Sequence, residues 1–74
     1  MQTERTQTIQ IVVNGQLREV PPGRSLSGIL EFLEVDPARV AVELNRSIVS
    51  RHAWSDVTVG SGATLEIVQF VGGG

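Results

Sequence analysis

The sequence predicts a small α+β domain in which one helix covers one face of a sheet. Ile9, Ile11 and Val13 recur at every second position near the start of the chain, and a second alternating segment spans 64–70. Alternation with a period of two is typical of strands. Between these segments, four apolar residues recur at the spacing of one helix face: Leu26, Ile29, Leu30 and Leu33.

The 74 residues fit one domain, because chains split into several domains only well above this length. We predict that the domain spans 9–71, with a flexible polar leader over 1–8 and a flexible glycine tail over 72–74. The first strand is followed by Asn14-Gly15, a dipeptide that favours a two-residue hairpin turn because both turn positions need positive φ.

The return strand of this hairpin is predicted over 16–20, and the prolines that follow it cannot donate to a strand ladder. Ser25 occupies the N-cap position of the helix, which is predicted over about 25–35 because Pro37 excludes a longer one. Gly28 inside this helix weakens it by about 1 kcal/mol relative to alanine.

The second half of the chain completes a mixed sheet of four to five strands. Val40, Val42 and Leu44 alternate as in a strand, and 45–46 is a plausible turn. The remaining elements predicted are a short strand over 47–49, one helical turn over 51–54 with Ser50 as its cap, a turn at 60–62 and a last strand over 64–70.

Composition excludes several classes of function. The chain has no cysteine and one histidine, so it offers neither disulfides nor a cysteine–histidine metal site, and we predict no metal ligands. The absence of cysteine fits a reducing compartment, and the polar N-terminus lacks the apolar run of a signal peptide. A net charge of −2 disfavours nucleic acid, and no apolar stretch is long enough to span a membrane. A cytoplasmic protein is therefore expected.

The sequence predicts no catalytic residue. His52 lies close to Ser50 and Asp56 in the sequence, but catalytic triads are assembled by the fold from separated segments. The carboxylates are scattered, with no pair placed as acid and base. We therefore expect a protein that is not itself an enzyme, with His52 as a partly exposed surface residue.

The C-terminal run Gly72-Gly73-Gly74 has no explanation in packing, since glycine has no side chain to pack and loses the most entropy on ordering. One interpretation is a linker or a frayed end. The other is chemical: a carboxylate without neighbouring side chains can be threaded into the active site of another protein. Three residues reach about 10 Å when extended.

The C-terminal segment, from Leu65 through Phe70 into the terminal glycines, resembles the end of the ThiS family, the sulfur carriers of thiazole biosynthesis. Val13-Asn14-Gly15 and the segment 48–54, with Arg51 and Trp54, also resemble that family. The similarity covers about residues 9–74. One departure is Gly62-Ala63, where the family often has Gly-Asp.

This resemblance implies a ubiquitin-like β-grasp fold and a sulfur-transfer cycle at Gly74. An adenylating enzyme of the ThiF type would use ATP and magnesium to adenylate the Gly74 carboxylate, and Gly72 and Gly73 would thread it into the partner's active site. Sulfur from a cysteine desulfurase would displace AMP to leave a thiocarboxylate, which would donate sulfur to thiazole synthase. The carrier itself would hold no cofactor durably.

Three further side chains have structural and functional interpretations. Val68 and Phe70 lie on the opposite face of the last strand from Leu65, so they form a candidate apolar patch for partners. Trp54 is expected in the core or at its edge, under a short helix. Arg51 is expected to cap or pair locally.

Three alternative functions stay open from the sequence. The small subunit of molybdopterin synthase has the same chemistry and also ends in diglycine. A ubiquitin-like protein modifier would be conjugated through Gly74, although the absence of lysine excludes lysine-linked chains of this protein on itself. A passive interaction domain with a linker-like tail is the third.

Overall fold

The computed structural model describes residues 7–70. The described chain contains five strands, one α-helix and two short 3-10 helices. The strands are β1 (Ile9–Val13), β2 (Gln16–Val20), β3 (Val40–Leu44), β4 (Ser47–Ile48) and β5 (Thr64–Gln69). The helix α1 spans Leu26–Phe32, and the 3-10 helices span Pro37–Arg39 and Arg51–Ala53.

The strands form one mixed sheet in the order β2-β1-β5-β3-β4. β1 and β5 pair in parallel, and the other three pairings are antiparallel. The helix packs on one face of the sheet through its buried residues. This arrangement confirms the predicted α+β class and the β-grasp architecture.

Both predicted hairpin turns are confirmed by their backbone angles. Asn14 and Gly15 have φ of 50° and 83°, and Asn45 and Arg46 have φ of 51° and 74°. Two consecutive positive φ angles match the twist of the flanking strands, which explains why asparagine leads both turns.

The helix begins as predicted and ends earlier than predicted. The Ser25 hydroxyl accepts a hydrogen bond from the Gly28 N–H at 3.1 Å, so Ser25 is the N-cap. The prediction that the helix continues to about residue 35 is wrong. Glu34 turns into the left-handed region at φ 62°, and Val35 N–H donates back to Leu30 O at 3.0 Å. This closing pattern ends a helix whatever follows it, so Pro37 does not set the boundary.

The core lies between α1 and the inner face of the sheet. Ile11 of β1, Leu65 of β5 and Ile29 of α1 are fully buried. The other buried apolar residues are Val13, Val20, Leu26, Leu30, Val40, Val42, Trp54, Val59 and Ala63.

The segment 50–54 packs the edge of this core. Trp54 is buried as expected, and its indole N–H donates to Val49 O at 2.9 Å. Arg51 pairs locally: its guanidinium lies 5.2 Å from the centre of the Trp54 ring and donates to Pro37 O. The expected capping by Ser50 is wrong, since its side chain makes no cap hydrogen bond.

Candidate functional site

The strand that leads into the glycine tail lies in the middle of the sheet. β5 pairs with β1 on one side and with β3 on the other. Beyond its last residue, Phe70 N–H still donates to Arg39 O at 2.8 Å. The end of the described chain is therefore held to the body of the domain. Gly72, Gly73 and Gly74, the predicted working residues, lie outside the described residues.

The two hairpin turns each fasten β5 through an asparagine side chain. Asn14 Oδ1 accepts from Ile67 N–H at 2.7 Å, and its Nδ2 donates to Ile67 O at 3.1 Å. Asn45 Oδ1 accepts from Thr64 N–H at 2.9 Å. The backbone pairing of β1 with β5 ends at Val13 and Leu65. Beyond that point, the Asn14 side chain takes the place of a backbone partner for Ile67 and so holds β5 closer to the tail.

Sequence reasoning predicted the turns at Asn14 and Asn45 but missed these bonds to β5. Each asparagine stands next to a strand in sequence, which is enough to predict a turn. The residue that its amide meets lies 53 positions away for Asn14 and 19 for Asn45, and no local pattern contains that information.

The predicted apolar patch lies on the outer face of the sheet, which we define as the face turned away from α1. Val68 and Phe70 expose 59% and 52% of their surface there. Ala41 lies directly opposite Val68. Sequence reasoning missed Ile48 of the edge strand β4, which is 78% exposed and belongs to the same face. The strand was too short for its alternation to show.

Two carboxylates interrupt this apolar face. Glu43 of β3 lies directly opposite Glu66 of β5, and Ile48 lies opposite Glu43 on the other side. Glu43 is half-buried and Glu66 is exposed. The outer face therefore combines exposed apolar side chains with a pair of like charges.

The structure brings no catalytic or metal-binding group together within residues 7–70. His52 is exposed, and in this part of the chain no hydrogen bond joins its side chain to Ser50 or Asp56. The same residues contain no group of three histidine or acidic side chains that could hold a metal ion. Over this range no helix is long and apolar enough to cross a membrane.

The family model that matches this chain is that of the ThiS family, over residues 11–74. The match covers the whole sheet apart from the first two residues of β1, together with the terminal glycines. The chain belongs to the ThiS family. The resemblance noted from the segments around Asn14, Arg51 and Phe70 is thereby confirmed.

Two kinds of curated relatives resemble this ThiS family member. Thiazole synthase of Paramagnetospirillum magneticum is 39% identical over 89% of the chain, and thiazole synthase of Magnetococcus marinus is 36% identical over the same share. The chain spans only 20% of the length of each. The sulfur carrier protein ThiS of Escherichia coli is 30% identical over 89% of the chain and is covered completely.

A crystal structure of the thiamine biosynthesis protein ThiS from Geobacter metallireducens has the same fold. It superposes with a TM-score of 0.79 at 32% identity, covering 89% of this chain and all of that one. A solution structure of a thiamine biosynthesis protein from the same organism gives a TM-score of 0.72 at 33% identity.

Proposed function

We propose that this chain is a sulfur carrier of thiazole synthesis, without catalytic activity of its own, whose working group is the carboxylate of Gly74. The observation that carries the proposal is the ThiS family match, which extends through residue 74 and so includes the terminal glycines. The Escherichia coli relative named as a sulfur carrier supports it as well.

The proposed cycle begins with activation of the terminal carboxylate. The carboxylate is ionised at neutral pH, and one of its oxygens attacks the α-phosphorus of ATP, with magnesium, in an adenylating enzyme of the ThiF type. Pyrophosphate leaves, and Gly74 becomes an acyl adenylate. A free carboxylate would have to expel an oxide or hydroxide, which is a poor leaving group. The mixed anhydride carries AMP instead, and a sulfur nucleophile can displace AMP.

Sulfur then enters as the persulfide of a cysteine desulfurase. Its terminal sulfur attacks the Gly74 carbonyl carbon and expels AMP, which leaves an acyl disulfide. A second thiol reduces the sulfur–sulfur bond and releases the thiocarboxylate. The thiocarboxylate sulfur then attacks an electrophilic carbon of the substrate held by thiazole synthase. Water hydrolyses the resulting thioester at the Gly74 carbonyl carbon, which leaves the sulfur on the substrate and restores the carboxylate.

The described geometry suits a carrier because β5 is anchored within the sheet and Gly74, the proposed reactive residue, follows β5 in the sequence. β5 is held on both sides, and the tail that follows Val71 carries no side chain beyond hydrogen. A glycine tail passes through a narrow channel that any larger residue would obstruct. ATP, magnesium and the sulfur donor all belong to the partners in this scheme.

Thiazole synthesis is favoured over the molybdopterin alternative by the thiazole synthase relatives. In two proteins of that name, a segment similar to this chain makes up 20% of the polypeptide. Thiazole synthase is accordingly the sulfur acceptor in this proposal.

Deleting Gly74, or replacing Gly73 with valine, is the test. Activation by the adenylating enzyme, measured as ATP–pyrophosphate exchange, should disappear with the deletion. It should fall on the order of 100-fold with Gly73→Val, because a displaced nucleophile reacts poorly. Both variants should change the unfolding free energy by less than about 0.5 kcal/mol, because the last fully buried side chain of the described chain, Leu65, lies well before the altered positions.

His52→Ala is the matched control, because it alters an exposed side chain to which we assign no chemistry. Its exchange rate should equal that of the unchanged chain. Full exchange by the chain lacking Gly74 would refute the carrier role, and so would activity that depended on His52 and not on the tail.

A further inference from the structure

β5 loses its neighbour on one side before it reaches the tail. Its backbone pairing with β1 ends at Leu65, whose carbonyl oxygen accepts from Asn14 N–H at 2.9 Å. On the other side, β5 pairs with β3 as far as Gln69. Within the described range, residues 66–69 therefore have a neighbouring strand on one edge alone, and they are the part of β5 nearest to the tail.

The Asn14 side chain supplies a partner for one of these residues. A side-chain amide has the donor and the acceptor of a peptide group, and Asn14 uses both on Ile67, with Oδ1 accepting from its N–H at 2.7 Å and Nδ2 donating to its carbonyl oxygen at 3.1 Å. Because the backbone groups of a strand alternate between its two edges, Ile67 is where the next bond after Leu65 would be made. The amide thus extends the β1–β5 ladder after β1 has turned.

Asparagine suits position 14 because it meets two requirements at once. The turn needs a positive φ, here 50°, which asparagine and aspartate adopt more readily than other residues with side chains. Ile67 offers both a donor and an acceptor, whereas an ionised aspartate can only accept. Glycine would adopt the φ but has no side chain. The turn alone does not require an amide, so the amide serves β5.

We propose that Asn14 is a positioning residue for the tail: by holding Ile67, it fixes the place and direction in which the chain leaves the sheet towards Gly74. The inference rests on the proposed function. Gly74 lies seven positions after Ile67, which is about 23–25 Å of extended chain, so a small rotation of the strand end displaces the terminus by several times as much. A fixed exit also leaves fewer residues to be ordered when the tail enters the adenylating enzyme.

Loss of the amide should weaken binding to the adenylating enzyme and leave the chemical step intact. Without it, residues 68–70 are held by the β3 side alone and can leave the sheet more easily. Each residue that must be ordered again on binding lowers the affinity about tenfold. Once the tail is bound, the Gly74 carboxylate meets ATP as before, so the rate at saturation stays the same. The consequence is a higher KM for the carrier at unchanged kcat.

Asn14→Gly is the test, because glycine keeps the positive φ of the turn and removes the amide. ATP–pyrophosphate exchange by the adenylating enzyme is measured against carrier concentration, well below the melting temperatures of both chains. KM should rise on the order of tenfold, and kcat should stay the same. Lower stability alone would move neither value, because nearly all of the protein is folded at that temperature.

Asn45→Gly is the matched control, because it removes an asparagine amide from the same kind of turn. Asn45 bonds to Thr64 at the start of β5, where β5 has neighbouring strands on both sides, so its loss should leave KM unchanged. Amide hydrogen exchange gives a second readout. Phe70 N–H, which donates to Arg39 O, should lose protection in Asn14→Gly and keep it in Asn45→Gly.

The chain lacking Gly74 is assayed beside these variants to separate the two hypotheses. An unchanged KM for Asn14→Gly, with exchange abolished by deletion of Gly74, would overturn the positioning role and leave the carrier role intact. A rise in KM of equal size for Asn45→Gly, or a fall in kcat at unchanged KM for Asn14→Gly, would also overturn it. Exchange that survives deletion of Gly74 would overturn the carrier role, and the positioning role with it.

Discussion

At the scale of single residues, Asn14 combines two tasks that are usually separate. It adopts the positive φ of the hairpin turn, and its amide makes two hydrogen bonds to Ile67 of β5. Asn45 does the same with one such bond, to Thr64. The two turn residues therefore hold the last strand from either side.

Replacing Asn14 should separate these contributions. Asn14→Gly keeps the backbone conformation and loses both side-chain bonds, so we expect a loss of about 1–2 kcal/mol of unfolding free energy. Asn14→Ala should lose about 1 kcal/mol more, because alanine is strained at positive φ. Urea unfolding of the two variants measures both values.

Asn45→Gly serves as the comparison, since it removes one bond where Asn14→Gly removes two. It should cost less than Asn14→Gly. Equal losses for Asn14→Gly and Asn45→Gly would show that the amide bonds to β5 contribute little.

Sequence reasoning succeeds at this scale where the determinant is local. Asn14-Gly15 predicts its turn because the need for positive φ concerns two adjacent residues. The exposure of Val68 and Phe70 follows from alternation with Leu65. The Glu43–Glu66 pair could not be predicted, because it depends on the register between β3 and β5, which only the folded sheet sets.

At the scale of elements, α1 has a glycine where a helix former is favoured and a glutamate where glycine is favoured. Gly28 lies inside the helix, while Glu34 takes the left-handed position after its end, where glycine is favoured. The predicted helix was too long because that closing position is usually recognised by a glycine, and here it holds a glutamate.

Exchanging these residue types should stabilise the domain. A Cβ at position 28 would lie 3.5 Å from Arg24 Cβ and from Ser25 Oγ, which is ordinary contact. Gly28→Ala should therefore add about 0.5–1 kcal/mol. Glu34→Gly should add a similar amount by removing strain at φ 62°. The melting temperature should rise by about 4–8 °C for each kcal/mol of added unfolding free energy, which thermal melts would measure.

Gly62→Ala distinguishes strain from space. Nothing lies within 4 Å of a Cβ there, but φ is +84°, so alanine should destabilise the domain by about 1 kcal/mol. If Gly62→Ala and Gly28→Ala shifted the melting temperature in the same direction, the conformational argument for both would be wrong.

At the scale of the whole molecule, the leader should be dispensable. The family match begins at residue 11, β1 begins at Ile9, and Gln7 and Thr8 are exposed. A chain starting at Ile9 should change the unfolding free energy by less than about 0.5 kcal/mol and keep full pyrophosphate exchange. A melting temperature lower by more than about 5 °C would show that the domain extends into the leader.

The class and layout of the fold follow from the sequence, but the strand order does not. Alternating segments around Ile11, Val42 and Leu65 predict strands, and the spacing of Leu26 and Ile29 predicts the helix. β5 lies between β1 and β3 because the apolar faces of all three strands must be buried under one helix. This requirement involves the whole chain, so no local pattern contains it. The resemblance to the ThiS family implied a β-grasp fold in advance, and the structure supplies the strand order.

The position of β5 also determines the order in which the molecule can assemble. β1–β2 and β3–β4 are local hairpins that can close early, and in the finished sheet they are not hydrogen-bonded to each other. In the sheet they are joined through β5, which pairs with both, and 53 residues separate Asn14 from its partner Ile67. Such long-range closure is slow because the chain loses its freedom before the contacts form. The strand that completes folding is the one that carries the tail, so an incompletely folded chain has no rigid body from which to present its terminus.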